Sequence, residues 1–480
     1  MAQPASFGRL TGPAKLEAVT SIVNRLSEDL QYGTLQPEKR DTLLEELKIY
    51  GRDPNFAGPI FTKDGIKTLA RHAFDSSSDT TAQNALRVLC NALLLKPDTR
   101  QSFVSTGYEV KACKRLQNDN PDDEFLISRL LLLSTYGTNI DMPRLVEEHQ
   151  LAETLANNLA RHAARLSSDS ASKANANPMV DMALTETLKL FFNATQYAPN
   201  NNSSFEPAIP HIIAILRSLD LPSQQTKSPL DPPFGLLINA LMNLKFSSNT
   251  AKDAVYPPSS PSGVADRLIQ LLVLSMKAYS NPDLEQIVSP LVCILSTVHE
   301  NAPDPVQKSI RDALLPTEAD REDVLGKADT LPSRLLRNWT NPEAPELGKA
   351  ISHLYFDISD KDPNKFVKNV GYGYASGFLF QKGINIGPDA IGDGEEAEGS
   401  DGVREIRRPV NPITGQFLDT EKPVQMPEMT DEEKEREAER LFVLFERLKK
   451  TGIIDVQNPV EQAMREGRFE ELPDDDDELD

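Results

Sequence analysis

The sequence predicts an all-α fold, an armadillo- or HEAT-like solenoid in which helices stack side by side. Apolar residues recur at helical spacing in many segments, and most of the 35 prolines fall between these segments, where they would end helices. No segment shows the sustained two-residue alternation of a strand. One helical pattern also recurs along the chain, as it does in proteins built from stacked helical repeats.

The predicted helices are separated by short polar turns or by proline-rich loops. In the first helix Val19, Ile22 and Leu26 lie at the spacing of one helix face. Thr80 or Thr81 is the expected N-cap of the fourth helix. The predicted helices span residues 16–30, 43–50, 66–74, 81–95, 102–114, 124–136, 142–166, 180–196, 208–219, 234–246, 264–279, 284–298, 306–315, 323–339, 346–359 and 363–380.

The recurring pattern is an almost wholly apolar helix with an asparagine near its end. In three such helices Asn91, Asn193 and Asn243 hold that place. The residue four places earlier is also polar in each helix: Arg87, Lys189 and Asn239. Because residues four apart share one helix face, each helix would keep a narrow polar edge. Successive edges would line a groove that binds a partner chain.

The predicted groove includes further residues near the first copy of the pattern. Asn84 lies on the same helix face as Arg87 and Asn91, and Arg71 precedes them on the neighbouring helix. Their amides and guanidinium groups could hold a peptide backbone and its carboxylates. The alternative is that each buried asparagine only hydrogen-bonds a neighbouring turn.

The composition argues against several classes of function. A formal charge of −21 argues against binding to nucleic acids or anionic membranes, because both attract proteins rich in clustered Lys and Arg. This acidity suits a partner with a basic surface, or simply keeps the protein soluble. No apolar run is long enough to cross a membrane, which predicts a cytosolic protein.

Catalytic and metal-binding patterns are also missing from the sequence. Three distant cysteines and six scattered histidines give neither a disulfide framework nor a metal site, and the cysteines are expected in the core. Gly371, Gly373 and Gly377 are spaced one residue too widely for a dinucleotide fingerprint. We therefore predict a protein with no cofactor, no metal and no bond-making chemistry.

The composition changes after the predicted solenoid at residues 1–380. Residues 381–428 are first acidic and then proline-rich, which predicts a flexible linker. Thr430 begins a capping box and an amphipathic helix at 429–452, and an acidic tail follows at 453–480. The apolar face of this helix would either cap the solenoid or dock on a partner. It consists of Leu441, Phe442, Phe445 and Leu448.

Three segments of the C-terminal part resemble the synembryn family, whose members are exchange factors and chaperones for the α subunits of heterotrimeric G proteins. The segments are Val370 to Leu379 with its Gly-Tyr-Gly-Tyr-Ala-Ser-Gly core, Val410-Asn-Pro-Ile-Thr-Gly415, and Met426 to Lys434 with the helix that follows. Their order and spacing match the family. The loops at 167–177 and 222–233 depart from animal members and indicate a fungal relative.

The resemblance implies that the groove holds the C-terminal helix of a G-protein α subunit, whether GDP-bound, nucleotide-free or nascent. Pulling that helix away would release GDP, and the C-terminal helix of this chain would support the mobile switch region. Exchange would then be the stabilisation of an open conformer by a cytoplasmic monomer, which the α subunit could recruit to the cell cortex. The alternative is a passive armadillo-type adaptor that binds a peptide without exchange activity.

The resemblance also points to sites of modification. The acidic linker of animal family members is phosphorylated, which makes Ser400 and Thr430 candidate phosphorylation sites here. For Thr430 the alternative is a purely structural role as the helix cap.

Overall fold

The computed structural model describes residues 10–167, 177–384 and 408–421, together with Thr430, Arg436 and Arg440. The chain divides into two compact units, residues 1–420 and 421–480. The described part of the first unit is helical apart from turns and one isolated bridge between Val410 and Phe417. The predicted all-α class is therefore confirmed.

The helices of the first unit are numbered in chain order. They are α1 (Gly12–Tyr32), α2 (Pro37–Tyr50), α3 (Lys63–Phe74), α4 (Asp79–Leu95), α5 (Asp98–Val104), α6 (Glu109–Arg115), α7 (Pro121–Ser134), α8 (Met142–His149), α9 (Leu151–Ser167), α10 (Pro178–Tyr197), α11 (Ile209–Ser218), α12 (Phe234–Leu241), α13 (Asn249–Val255), α14 (Gly263–Ala278), α15 (Asn281–Asp283), α16 (Ser289–Asn301), α17 (Asp304–Leu314), α18 (Leu331–Trp339), α19 (Pro345–Ile358), α20 (Pro363–Val370) and α21 (Tyr372–Gln381). Short 3-10 helices lie at Gly58–Phe61, Pro199–Ala208, Ala319–Glu322 and Leu418–Thr420, and a π-turn at Leu284–Val288 joins α15 to α16.

The helices form two packed rows. In the first row α2, α4, α7, α10, α12, α16 and α19 each contact the next. The second row contains the helices between them, such as α3, α9, α11 and α14, of which α11 contacts both α9 and α14. Most first-row helices thus follow one or two second-row helices, the arrangement of an armadillo or HEAT repeat. Wholly buried side chains such as Phe103, Phe191 and Phe205 belong to the continuous core.

Three predicted helices are each divided into two. The segment predicted at 102–114 becomes α5 and α6, and the segment at 142–166 becomes α8 and α9, where Gln150 has a φ of 55°. The segment at 363–380 breaks at Gly371, whose φ is 81°. A positive φ ends a right-handed helix without disturbing the apolar spacing, so periodicity does not reveal such breaks.

Other boundaries also differ from the prediction. The N-cap of α4 is Ser78, whose Oγ accepts from the Thr81 amide, while the Thr81 hydroxyl donates to Asp41. The helix predicted from residue 323 starts only at Leu331. The preceding segment folds instead around Asp320, which is buried and accepts hydrogen bonds from Thr317, Thr330 and Ser333. Helix α13 was not predicted at all, because it is short and polar.

Two further expectations are corrected. Cys90 and Cys113 are buried as expected, but Cys293 is exposed on α16. Of the predicted flexible linker, residues 408–420 fold into a turn that packs on the start of α21 and on Arg321, and they belong to the first compact unit. The reason is that proline and glycine here build a defined turn rather than an extended chain.

Candidate partner-binding face

The predicted groove residues lie mainly on three helices of the first row, and α7 stands between the first two of these. Helix α4 positions Arg87 and Asn91, α10 positions Lys189 and Asn193, α12 positions Asn239, and Asn243 follows the end of α12. Helix α7 is buried between α4 and α10 along nearly all its length. The four helices therefore stand in fixed order beside one another. We call their half-exposed surface the ladder face.

Arg87 is held by two neighbours on the ladder face. Its Nη2 lies 2.7 Å from Asp122 Oδ1 at the start of α7, and its Nη1 donates to Asn84 Oδ1 at 3.3 Å. The guanidinium side chain is still 31% exposed. Asn84 itself is buried, and its amide nitrogen has no hydrogen-bond partner among the described residues. Asn91, one turn beyond Arg87, is half-buried.

Arg129 on α7 belongs to the same face but was missed in the sequence. Its Nη2 lies 3.6 Å from Glu186 Oε1 on α10, and Lys189 Nζ donates to the same oxygen at 3.1 Å. Its guanidinium also lies over the Phe125 ring, 5.0 Å from the ring centre. Arg129 could have been identified from the sequence, because it aligns with Arg87 and Lys189 in the repeat. The recurring pattern did not include it, since the residue four places later is Leu133 and not asparagine.

One charge from each of three consecutive helices is thus brought into a row. Arg129, Glu186 and Arg87 all act electrostatically on the buried Cys90 thiol. Burial dominates there and raises the pKa of Cys90 to about 12, so this cysteine stays a neutral core thiol. The row therefore contains three cations, with Asp122 and Glu186 as their present partners.

Two of the ladder asparagines bind the neighbouring helix. Asn193 Nδ2 donates to Thr135 Oγ1 at 2.7 Å, and Asn243 Nδ2 donates to Thr195 Oγ1 at 3.0 Å. Each threonine hydroxyl in turn donates to the carbonyl three residues before it. Asn193 is buried and Asn243 is half-buried. Their amides thus join α7 to α10 and α10 to the end of α12, which is the structural role considered as the alternative.

The remaining groove residues are less closely connected. Asn239 is half-buried on α12. Arg71 lies on α3 in the second row, where its Nε is 4.0 Å from Asp75 Oδ2 and its Nη2 is 3.5 Å from the Leu30 carbonyl oxygen. The structure therefore places Arg71 among second-row contacts rather than in the row of three cations.

A buried polar network lies beneath the ladder face and ties it to the second row. Glu124 Oε1 accepts from Thr187 Oγ1 at 2.7 Å and lies 2.9 Å from His162 Nε2 on α9. Burial opposes ionisation of Glu124, but the hydrogen bonds from His162 and Thr187 and the charge of Arg161 outweigh it, so its pKa is lowered. The carboxylate is therefore charged at neutral pH and holds three helices together.

The described residues contain neither a helix long and apolar enough to span a membrane nor a cluster of three potential metal ligands. Thr430 is exposed. Several predicted site residues lie outside the described part of the chain: Ser400, Leu441, Phe442, Phe445 and Leu448.

Comparison with known proteins adds independent information. A family model described as guanine nucleotide exchange factor synembryn matches residues 43–468. A synembryn-like chaperone of Schizosaccharomyces pombe is 26% identical over 399 residues, which is 77% of this chain and 71% of that protein. Chaperone Ric-8A of Xenopus laevis is 26% identical over 475 residues, or 91% of this chain and 85% of that protein. A crystal structure of an engineered protein aligns with 72% of this chain and 80% of its own at a TM-score of 0.40 and 15% identity.

Proposed function

Because the chain belongs to the synembryn family of guanine nucleotide exchange factors, we propose that it acts on the α subunits of heterotrimeric G proteins as exchange factor and folding chaperone. The ladder face binds the C-terminal helix of the α subunit and stabilises a nucleotide-free state. The row formed by Arg87, Arg129 and Lys189 is the observation that supports this site. The similarity to proteins named as chaperones supports the folding role.

The proposed mechanism is a population shift without bond-making chemistry. An α subunit whose terminal helix is docked on the ladder face has that helix withdrawn from its nucleotide-binding core. The open conformer then holds GDP weakly, and it is favoured only by as much as this chain binds it more tightly than the closed conformer. GTP binding favours the closed conformer of the α subunit, so the complex dissociates. A nascent α subunit is held in the same way until its nucleotide-binding core closes.

The three cations can accept further partners from a docking helix. The side chains of Arg87, Arg129 and Lys189 are 31%, 35% and 39% exposed, so carboxylates of an incoming helix can pair with their exposed sides while Asp122 and Glu186 stay in place. Each exposed or half-exposed ion pair contributes about 0.2–1 kcal/mol. The row thus orients a bound helix, while burial of apolar surface supplies most of the affinity.

The test is the rate of release of labelled GDP from purified α subunits. The combined substitution of Arg87, Arg129 and Lys189 by alanine should slow exchange roughly tenfold or more, from the loss of three charge contacts. A control removes the same charge from exposed ion pairs elsewhere, by alanine at Arg144, Lys327 and Lys349. The control should exchange at the unsubstituted rate.

The same assay separates the proposal from its alternatives. A passive adaptor would bind the α subunit, but the GDP release rate would equal that of the α subunit alone, whether the unsubstituted protein or either variant is added. If both triple variants slowed GDP release equally, the ladder face would not be the binding site, although the proposed exchange activity would stand. For the chaperone role, the yield of folded α subunit from cell-free translation should rise with added protein. It should rise less with the ladder variant than with the control.

A further inference from the structure

We propose that residues 319–325, the end of α20 and the start of α21 form a peptide-binding site for an Asn-Pro-x-x-Gly turn. Residues 408–420, which we call the clasp, occupy this site from within the same chain. The site is distinct from the ladder face and independent of the proposed function. Its ligand is recognised mainly through main-chain atoms of a pre-shaped turn.

The clasp fixes its own turn. Asn411 Oδ1 accepts from the amides of Ile413 at 2.9 Å and Thr414 at 3.3 Å. The Asn411 amide donates to the Gln416 carbonyl at 2.7 Å, and the Gly415 amide donates to the Asn411 carbonyl at 2.9 Å. Gly415 has a φ of 71°, which favours glycine. Because these bonds lie within the clasp, a separate peptide of the same sequence should favour the same turn before it binds.

The first part of the site is the N-terminus of α21. The Tyr372 amide donates to the Pro412 carbonyl at 2.7 Å, and the Gly373 amide donates to the Ile413 carbonyl at 3.0 Å. These are amides that have no partner within their own helix. A Cβ built on Gly371 or Gly373 would lie only 2.9 or 3.0 Å from the Ile413 oxygen. Gly371 and Gly373 therefore make room for the clasp.

The second part of the site is Arg321. Its Nη1 donates to the Gly415 carbonyl at 2.8 Å, and its Nη2 donates to the carbonyls of Lys368 at 3.1 Å and Asn369 at 2.9 Å. The last two belong to the end of α20, whose carbonyls lack partners inside the helix. One guanidinium thus binds the clasp and the helix end together. The Arg321 carbonyl completes the contact by accepting from the Phe417 amide at 2.9 Å.

Side chains close the contact at its far end. Phe417 and Gln416 are buried, and Gln416 Nε2 donates to the Glu322 carbonyl at 3.3 Å. Arg408 lies over the Phe417 ring at 4.1 Å and pairs with Glu322 of the site and Asp419 of the clasp. The site therefore has an apolar contact and a charged contact besides its main-chain bonds.

The covalent connection is dispensable for this contact. The bonds named above all join described residues of the clasp to described residues of the site, and residues 385–407 connect the clasp to Ile384. A connecting segment only raises the effective concentration of the clasp at its site. The same turn supplied as a separate peptide should therefore bind and exchange with the one already present.

The test uses the full-length chain with two engineered protease sites, one within 385–407 and one within 422–429. After folding, both sites are cut and the sample is passed through a size-exclusion column. Native mass spectrometry should find the excised clasp still bound. An added isotope-labelled peptide of residues 408–421 should then replace it with time.

Two pairs of variants decide the outcome. Gly415→Val in the clasp and Arg321→Ala in the site should each release the excised peptide, whereas Leu418→Ala and Lys327→Ala should retain it. Leu418 and Lys327 are the matched controls, because both side chains are exposed, the Leu418 amide bonds within the clasp and the Lys327 ammonium pairs with Asp323. Release of the unsubstituted clasp on cutting would overturn the proposal. Retention by the Gly415 and Arg321 variants would overturn it as well.

Discussion

The ladder face and the clasp site join parts of the chain in opposite ways. On the ladder face, side-chain amides of Asn193 and Asn243 bind hydroxyls on the preceding helix of the row, and the same geometry repeats from one helix to the next. At the clasp site, main-chain groups and Arg321 bind a single segment 94 residues further along the chain. Repetition stabilises the solenoid through many similar contacts, whereas the clasp depends on a few contacts that occur once.

The largest effect is expected from the network beneath the ladder face. Glu124→Ala leaves His162 and Thr187 without their buried partner, so the free energy of unfolding should fall by about 3–5 kcal/mol. Urea denaturation followed by circular dichroism measures this loss. The control Glu148→Ala removes an exposed carboxylate and should change stability by less than about 0.5 kcal/mol. Equal effects would mean that the network does not stabilise the rows.

A smaller and more local effect is expected at the clasp. Gly415→Ala must adopt a positive φ and brings its Cβ against Leu325, including Cγ at 2.9 Å, at a cost of about 2 kcal/mol. Amides of residues 411–418 should then exchange with deuterium faster, while the main unfolding transition stays in place. Gly377→Ala is the control, because nothing lies within 4 Å of its Cβ position. A shift of the main transition by Gly415→Ala would show that the clasp is part of the solenoid's cooperative unit.

A still smaller effect should separate the ladder asparagines from one another. Asn193→Ala loses a buried hydrogen bond to Thr135 and should cost about 1 kcal/mol. Asn91→Ala removes a half-buried amide that forms no such bond among the described residues, and should change stability by less than about 0.5 kcal/mol. Thermal unfolding measures both. If Asn91→Ala also slows GDP release from an α subunit, the amide acts on the partner rather than on the fold.

The smallest effect per residue is expected from pH. Burial lowers the pKa values of His72 and His299 below their ordinary range. The hydrogen bond to the Leu26 carbonyl and the charge of Asp29 oppose this for His72, and Asp357 and Asp360 oppose it for His299. Arg40 and Arg71 near His72, and Arg311 and Lys361 near His299, act in the same direction as burial. Their unfolded pKa is about 6.5, so the unfolded state takes up protons first. Stability is full above that pH and should fall as pH drops below it.

The pH prediction has a direct check. The free energy of unfolding, measured by urea denaturation between pH 7.5 and pH 5.5 (about one unit on either side of the unfolded pKa), should decrease as the pH falls. His299→Gln should reduce the slope, because both nitrogens of His299 are buried without a hydrogen-bond partner among the described residues. A slope that is unchanged in this variant would contradict the assignment to His299.

The sequence was sufficient for features that repeat and insufficient for features that occur once. Helical periodicity predicted the first-row helices, and the position of Asn193 identified a residue that does join two helices. Arg129 escaped because Leu133 breaks the pattern at one place. The clasp escaped because no periodicity links Arg321 to Gly415, although the two glycine-containing motifs that meet there were both recognised as family features.

The positions of the ladder residues depend on packing as well as on the repeat. The packing places Arg87, Arg129 and Lys189 in one row, but the burial of Asn84 and Asn193 follows from helix neighbours that the sequence does not specify. Similarly, the breaks at Gln150 and Gly371 depend on single backbone angles. Such choices are made by tertiary packing, which overrides local propensity.

The clasp also anchors the chain on the far side of residues 385–407. The Ile384 amide is anchored to the Leu379 carbonyl at 3.0 Å, and Arg408 is anchored through Asp419 and Glu322. Since both ends are fixed on the helices, doubling the number of residues between them would cost only about 0.6 kcal/mol of closure entropy. A fluorescent protein or an affinity tag inserted at residues 385–407 should therefore leave the solenoid and the clasp in register.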